Sequence, residues 1–563
     1  MAYLFKKKNH GRYYLCRGVN KRINGKPTCI GVKSLGKYDE FATYFQKKQK
    51  MISIEEQVHF EYGLSRAMHE LTKQFMFEKI FQNNISKRTK DKYLHSRILI
   101  MVLNRIIFPV PKSHIHEWFM TSDFVNYFDL PLEELDKHKI YRSMDLLDRY
   151  INDVQEDVAK SILIMEKINF DMLYLDFTNQ ETYSKNEDSE ILKKGYNKRK
   201  RFDLRQVNIS LNCDAHSGIP FFYKSYPGNM NDPTFIKQYA PTLRQHLKSV
   251  GWEKRTTLII DRGINGDHNF KMLRHNEFDY IGGLKEDDFP QFFNIPKRQL
   301  RNRYTKYNQQ GKKNIIHYHT QKENIYGTEH LVIIAYSNEP DQKKIEKIKE
   351  DLQAYESACI KKLEEWKKDI AQKTFESKIN NVEKIKKELK KINKKLFLLL
   401  DFQITSYRFE LKWKIQKKQD EYEKYLDQMN KYVIFTNRQD LTPKQVMDYF
   451  YQKDKIEKNF QILKSNAYNY KHIILGPMFH KRDDRIESHV ATCMLALQLY
   501  QIIDYRLKKK QISLTTQQAL AELRKITCYY TKLENNPIPI RHINSLTESQ
   551  KEILQALEIN IFN

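Results

Sequence analysis

At 563 residues the chain is long enough for several hydrophobic cores, since single cores stop growing well short of that length. It carries 98 Lys and Arg against 70 Asp and Glu, a net charge of +28, and such an excess points to a polyanionic partner, nucleic acid ahead of an anionic membrane surface. No apolar run is long enough to span a bilayer, the opening MAYLFKKKNHGRYY predicts no secretory leader, and six scattered cysteines without a Cys-x2-Cys pair suggest neither zinc nor a disulfide framework.

Residues 1–40 read as a small β unit, with Asn24-Gly25 as a two-residue hairpin turn between YYLCRGV and TCIGVKSL. Its many basic side chains fit either a solvated sheet face or a strand pair that tracks a DNA backbone. Residues 41–165 read as a helical domain that binds DNA ends. RILIMVLNRIIF and YRSMDLLDRYINDVQEDVAKSIL repeat apolar residues at three- and four-residue steps, and Pro109 and Pro111 stop the first of them.

The pattern changes near 166. INFDMLYLDFT is a buried strand, VNISLNC a half-buried one, and Asp214 to Gly218 a turn into the strand IPFFYKSY. TLIIDRG ends a further strand at Asp261, and FDYIGGLK follows. Strands in a meander, then helix and strand in alternation, predict a mixed α/β core over 166–285. Residues 286–430 read as an insertion: the strands NIIHYHT and HLVIIAYS, then a coiled-coil seam. That seam runs through Ile345, Ile348, Leu352, Tyr355, Cys359, Leu363, Trp366 and Ile370, and again through Val382, Ile385, Leu389, Ile392 and Leu396. It fits an antiparallel hairpin or a dimer contact. Strand YVIFTN and helices over 444–465 and 486–508 return to the core in 431–510, and 511–563 is a partly helical tail.

Three carboxylates stand out. Asp176 ends the apolar run MLYL, and Asp261 follows TLII. Acids at the carboxyl ends of buried strands sit where open α/β sheets bind ligands, and burying them is costly unless they are paired or metal-bound. Drawn as one helix, Phe450, Lys453, Glu457, Gln461 and Lys464 share a face, beside an apolar face of Ile456, Phe460 and Leu463. Isolated carboxylates of this kind suit two-metal phosphodiester chemistry, while turn capping and a solvated helix face are the ordinary alternatives. Asp232 and Asp267 read as loop and capping residues, and His489 as a buried histidine.

Together these pieces resemble a known family. Phe450-x2-Lys453-x3-Glu457-x6-Lys464 is similar to the Tyr-x2-Arg-x3-Glu-x6-Lys signature of the IS-four superfamily of bacterial insertion-sequence transposases. YLDFTNQETY and IIDRGINGDHNF resemble its first- and second-aspartate strands. The segment from GYNKRKRF to Gly228-Asn229-x-Asn231-Asp232 resembles the stretch between them, and RDDRIESHVATCMLALQLY the helix after the signature. The likeness runs with gaps from about 166 to 505, and the hairpin ending in Leu35-Gly36 is similar too.

The resemblance implies an RNase H-like catalytic domain interrupted by the β and coiled-coil insertion, which accounts for the 196 residues between Asp261 and Glu457 (457 − 261). It implies Asp176, Asp261 and Glu457 as ligands of two Mg2+ ions, with Mn2+ as a substitute. It places Phe450, Lys453 and Lys464 against DNA phosphates. Two departures stand in the signature: Phe450 has no hydroxyl, and Lys453 replaces a bidentate Arg. The basic run Lys198, Arg199, Lys200 and Arg201 reads as a contact for end or target DNA, and Arg262 as a neighbour of Asp261 or of phosphate. The expected activity is cut-and-paste DNA transposition: endonuclease cleavage at terminal inverted repeats, then joining of the freed 3′ ends to target DNA, by a homodimer in the bacterial cytoplasm on nucleoid DNA, with no membrane partner. The alternatives are a metal-dependent nuclease without strand transfer and a non-enzymatic DNA-binding coiled-coil protein.

Overall fold

The computed structural model describes residues 2–9, 11–23, 26–38, 58–126, 128–197, 201–307, 313–337, 342–371, 382–407, 410–464, 473, 475–476, 478–531 and 540–562. The chain forms two compact units, residues 1–280 with 448–563, and residues 281–447. Among the described residues no single helix is long and apolar enough to cross a membrane.

In the first unit, strands β1 (Ala2–Asn9), β2 (Arg12–Ile23) and β3 (Lys26–Lys37) form an antiparallel sheet in that order. Ile23 pairs with Lys26 across the Asn24-Gly25 position, which lies outside the described residues. β1 is an addition to the expected hairpin, turned back by Gly11 at φ 79, a left-handed conformation that suits glycine. Strand β4 (Val58–Glu61) opens the helical region and was missed. It pairs with β16 (Thr527–Thr531), which also pairs with β17 (Ile540–Ile543), so the tail is a sheet as well as helix. Helices α1 (Gly63–Gln74), α2 (Leu94–Ile107), α3 (Lys137–Leu147) and α4 (Ile151–Glu166) follow β4. α2 stops two residues before Pro109, as its missing N–H and ring clash require.

The core of this unit is a mixed sheet in the order β9-β8-β5-β6-β7. β5 is Met172–Thr182, β6 Arg205–Asp214, β7 Pro220–Pro227, β8 Thr256–Ile259, and β9 starts at Phe278. β5 runs parallel to β8 and antiparallel to β6, and β6 antiparallel to β7. Two expectations need correction. β6 is buried along nearly its whole length rather than on one face, because helices cover both sides of the sheet. β5 does not stop at Asp176 but continues to Thr182, held by the β6 ladder. Helices α5 (Asp232–Ser249) and α6 (Asp267–His275) join the strands. Asn231 caps α5 by accepting the Thr234 N–H at 2.9 Å, and Asp232 stands in its first turn, accepting from the Tyr226 hydroxyl at 2.7 Å.

The second unit holds strands β10 (Asn302–Tyr307), β11 (Lys313–Ile325) and β12 (Thr328–Ser337), with β15 (Lys431–Thr436) beside β12. Between β12 and β15 stand α7 (Gln342–Ala371), α8 (Val382–Ile392), the hairpin of β13 (Leu400–Tyr407) and β14 (Glu410–Lys417), and α9 (Gln419–Met429). The heptad-like stripes of α7 and α8 meet in one cluster with Leu400, Phe402, Ile404 and Leu411 of that hairpin. The Tyr355 hydroxyl donates to the Leu389 carbonyl at 2.8 Å. The seam thus closes within one chain.

Candidate active site

Strand alternation sorts β5 into two faces. Phe177 meets Tyr226, Phe235 and Tyr239 with ring centroids 6.3–6.5 Å apart, so the face of Leu175, Phe177 and Asn179 lies on α5. Tyr174 points the other way, donating to the Tyr449 carbonyl at 3.0 Å, near the end of helix α10 (Pro443–Tyr451). Asp176 shares Tyr174's face. It is half-buried, stands opposite Leu211, and accepts the Phe177 N–H at 2.7 Å.

Asp261 arrives from the parallel neighbour. The β5–β8 ladder pairs Met172, Leu173 and Tyr174 with Thr257, Leu258 and Ile259. Each aspartate lies two residues past the last β5–β8 pair (174 + 2 and 259 + 2), Asp176 still within β5 and Asp261 just beyond the end of β8. Asp261 accepts the Arg262 N–H at 2.9 Å and the Lys453 ammonium at 3.2 Å on the same oxygen. Burial would raise its pKa, but the charge and hydrogen bond of Lys453 and the Arg262 N–H outweigh that and hold it below the ordinary value. Its side chain is 59% exposed, so that stabilisation is solvent-screened.

Helix α11 (Asp454–Lys464) covers the Tyr174–Asp176 face. Ile456, Phe460 and Leu463 supply its apolar side, as the periodicity foretold. Polar side chains then fix its position. Lys455 donates to the carbonyls of Ala215 and His216 at 2.6 and 3.0 Å, and buried Asn459 donates to the Gly218 carbonyl at 3.0 Å. At the far end Lys464 donates to the Asn179 carbonyl. The helix therefore runs in the direction of β5, from the β6–β7 turn towards Asn179. Glu457 and Lys464 are seven residues apart, about 20° in azimuth and roughly 10.5 Å along the axis. Asp176 and Asn179 are three strand residues apart, roughly 10 Å. With Lys464 anchored at Asn179, Glu457 comes level with Asp176. Glu457 is exposed and has no ion-pair or hydrogen-bond partner among the described residues.

The single helix drawn over 444–465 is two. α10 ends at Tyr451, Gln452 and Lys453 form a turn, and α11 starts at Asp454. The common face drawn for Phe450, Lys453 and Glu457 does not survive that break, because 100° steps hold only within one helix. Lys453 instead reaches Asp261, with its ammonium 5.7 Å from the half-buried Phe450 ring. Glu457 and Lys464 keep their shared stripe. Among the described residues no three His, Cys, Asp or Glu side chains stand close enough to hold a metal ion, Asp176, Asp261 and Glu457 included.

Lys198, Arg199 and Lys200 lie outside the described residues. Arg201 is exposed and donates from Nε and Nη2, one edge of its guanidinium, to the two carboxylate oxygens of Asp203, at 2.9 and 2.7 Å. Arg262 is exposed, and its backbone N–H is capped by the Asp261 side chain. His489 is buried and bonded to the Leu475 carbonyl at 3.0 Å, with burial driving its pKa well down. Sequence reasoning missed Lys455 and Asn459, whose roles depend on carbonyls more than 200 residues away. It quoted Gly228 without a reason: a Cβ there would stand 2.0 Å from the Gln206 carbonyl oxygen.

No protein-family model matches the chain, and no curated protein matches it. Among solved structures it is similar to the piggyBac transposase synaptic complex with hairpin DNA, seen by cryo-electron microscopy, with a TM-score of 0.37 and 6% identity over 81% of this chain and 79% of that one. A superposition of that quality leaves the fold description to the sheet topology itself.

Proposed function

We propose that the chain is a transposase of the IS-four superfamily that binds the ends of an insertion sequence, cuts DNA and joins the freed 3′ ends to a target. Its core is RNase H-like, and its catalytic residues are Asp176, Asp261 and Glu457. The reading is supported by the register that sets Asp176 and Asp261 at equal offsets past the last β5–β8 pair, and by the Lys464 bond to Asn179, which fixes along β5 the helix that carries Glu457.

The donor set suits magnesium, or manganese in its place, since all three groups are carboxylates. Two such ions would activate the attacking oxygen and stabilise the leaving one. Glu457 is exposed and unpartnered among the described residues, and Asp261 is largely exposed. Lys453 is the present counter-charge of Asp261 and a cation within reach of a phosphate there. Lys464 stays on the Asn179 carbonyl and acts as an anchor for the helix that carries Glu457. Two DNA ends require two protomers, so the working form is a homodimer on DNA in the bacterial cytoplasm.

The test is Mg2+-dependent cleavage and strand transfer on a labelled terminal inverted repeat, wild type against Glu457→Gln, Asp176→Ala and Asp261→Ala. Removing a residue that only orients a metal ligand already costs about 10–100-fold, so each variant is expected to lose at least about 100-fold in both reactions while still binding DNA. Wild-type rates in any of the three would overturn the assignment of that residue. Cleavage without a joined product would make the protein a nuclease.

A further inference from the structure

We propose that the three-stranded sheet β1–β3 is a clamp for the phosphate backbone of double-stranded DNA, engaging the duplex without regard to sequence. The choice of DNA as the polyanion rests on the function proposed above. The sheet itself supplies the charge, the register and the length.

Residues 1–38 contain ten Lys and Arg and not one Asp or Glu. Elsewhere on this protein exposed cations repeatedly find carboxylates within their own element, as Lys271 does with Asp267 and Lys458 with Asp454. No such partner exists inside the sheet. Lys6, Lys7, Lys8, Arg12, Arg17 and Lys33 are all exposed. The register makes the charge worse. Arg17 on the central strand stands directly opposite Lys33, and Lys7, Tyr14 and Lys37 form a second cross-strand row. Like charges facing each other across strands destabilise a sheet. Lysines on an edge strand have an ordinary explanation, the blocking of edge-to-edge pairing, and that covers Lys6, Lys7 and Lys8. It does not cover Arg17, because β2 is paired on both sides.

The shape suits a duplex. β2 and β3 have 12 residues each, roughly 40 Å of strand, a little over one DNA turn of about 34 Å. One end is fastened to the protein. Tyr38 bonds to His116 at 3.2 Å, and the Lys6 ammonium sits 4.0 Å from the Tyr38 ring centre. Arg17 and Lys33 lie further along the same face and are exposed.

The experiment uses the full chain in EDTA with a short duplex of arbitrary sequence, so neither a transposon end nor the carboxylates take part. Affinity is measured by fluorescence anisotropy from about 50 to 200 mM salt. In Arg12→Gln/Arg17→Gln/Lys33→Gln the slope of log affinity against log salt should become shallower by about 0.9 for each phosphate no longer neutralised, with affinity at the low-salt end falling roughly tenfold or more. The melting temperature should hold or rise, since the Arg17–Lys33 repulsion is gone. Lys7→Gln/Lys8→Gln repeats the test on the edge strand if the triple variant unfolds. Lys347→Gln/Lys349→Gln, exposed on α7, should leave the slope unchanged.

Wild-type slope and affinity in both sheet variants would overturn the proposal. So would an equal loss in the α7 control, which would make the effect one of net charge alone. Loss of binding to phosphatidylserine vesicles with DNA binding intact would also overturn it, in favour of a membrane surface. In EDTA no cleavage is read, so a clamp can fail while the catalytic assignment stands, and cleavage by the sheet variants in Mg2+ can be scored apart from their binding.

Discussion

Helices α7 and α11 are both amphipathic, yet they are held by different means. α7 is positioned by its apolar stripe: Leu352, Tyr355, Cys359, Leu363 and Trp366 enter one cluster with α8 and the β13–β14 hairpin. α11 has an apolar stripe too, but its place along β5 is fixed by Lys455, Asn459 and Lys464 donating to backbone carbonyls of Ala215, Gly218 and Asn179. Apolar contacts are tolerant of small axial slips, and hydrogen bonds are not. A helix that must bring Glu457 level with Asp176 is therefore pinned by polar groups, while a helix that only has to close a core is not.

The largest effect expected from breaking this contrast lies in the insertion. Leu363 is fully buried, and Leu363→Ala should destabilise the second unit by about 2–5 kcal/mol, the usual cost of such a cavity. Limited proteolysis within 281–447 and a separate early melting transition would report it. If α7 were positioned by polar contacts instead, the unit would melt unchanged.

Next comes the pin on α11. The Asn459 amide gives to the Gly218 carbonyl and accepts from the Gln501 side chain at 2.6 Å. Asn459→Leu leaves both partners buried and unmatched, at about 1–3 kcal/mol for each. Cleavage should fall further than stability explains, because Glu457 loses its level against Asp176. Melting temperature and cleavage rate on one preparation separate the two, and a stability loss with full activity would break the positioning argument. Lys455→Met sharpens the same point with a smaller change. Two hydrogen bonds to the turn at Ala215 and His216 disappear, at roughly 1 kcal/mol, and the turnover rate should drop while DNA affinity holds.

The same contrast decides what is legible in the chain alone. The periodicity of 345–396 is a property of the chain itself, and it foretold the helices and the seam. Their partners Leu400, Phe402 and Leu411 alternate with polar residues in LDFQIT and ELKWKIQK, a period of two that was passed over because the helical repeat on either side dominated the reading of 286–430. Asp176 and Asp261 could be picked out because acids after apolar runs are rare. Their equal offset past the β5–β8 ladder could not, since register is set by pairing and not by either strand alone. The break at Gln452–Lys453 was missed because neither residue is a helix breaker. At the break Lys453 bonds to Asp261, a residue 192 positions earlier and so out of reach of any local pattern. β4 failed for a related reason: four residues signal a strand weakly, and its partner is the C-terminal β16.

The smallest expected effect concerns a polar group whose surroundings resist its charge. Glu487 lies near the start of helix α12 (Asp483–Lys509). Burial first, then the negative charges of Asp148 and Asp483, push its carboxyl up to about 7, against the nearby Ser225 hydroxyl and the charge of Lys224. An acid whose pKa is raised by folding takes up a proton that the unfolded chain has already released, so its contribution is complete below about 4.5 and fades as pH rises through about 7. Glu487→Gln removes the ionisation and keeps the shape. The variant should melt together with wild type at pH 4.5 and about one to a few degrees above it at pH 8. Glu117, also pushed up to about 7 by burial, would leave part of the pH dependence in place, and Glu117→Gln/Glu487→Gln should flatten it further. Melting curves that diverge at low pH instead would mean that the Glu487 carboxylate is stabilised by Lys224, and that this end of α12, like α11, is pinned by a charge.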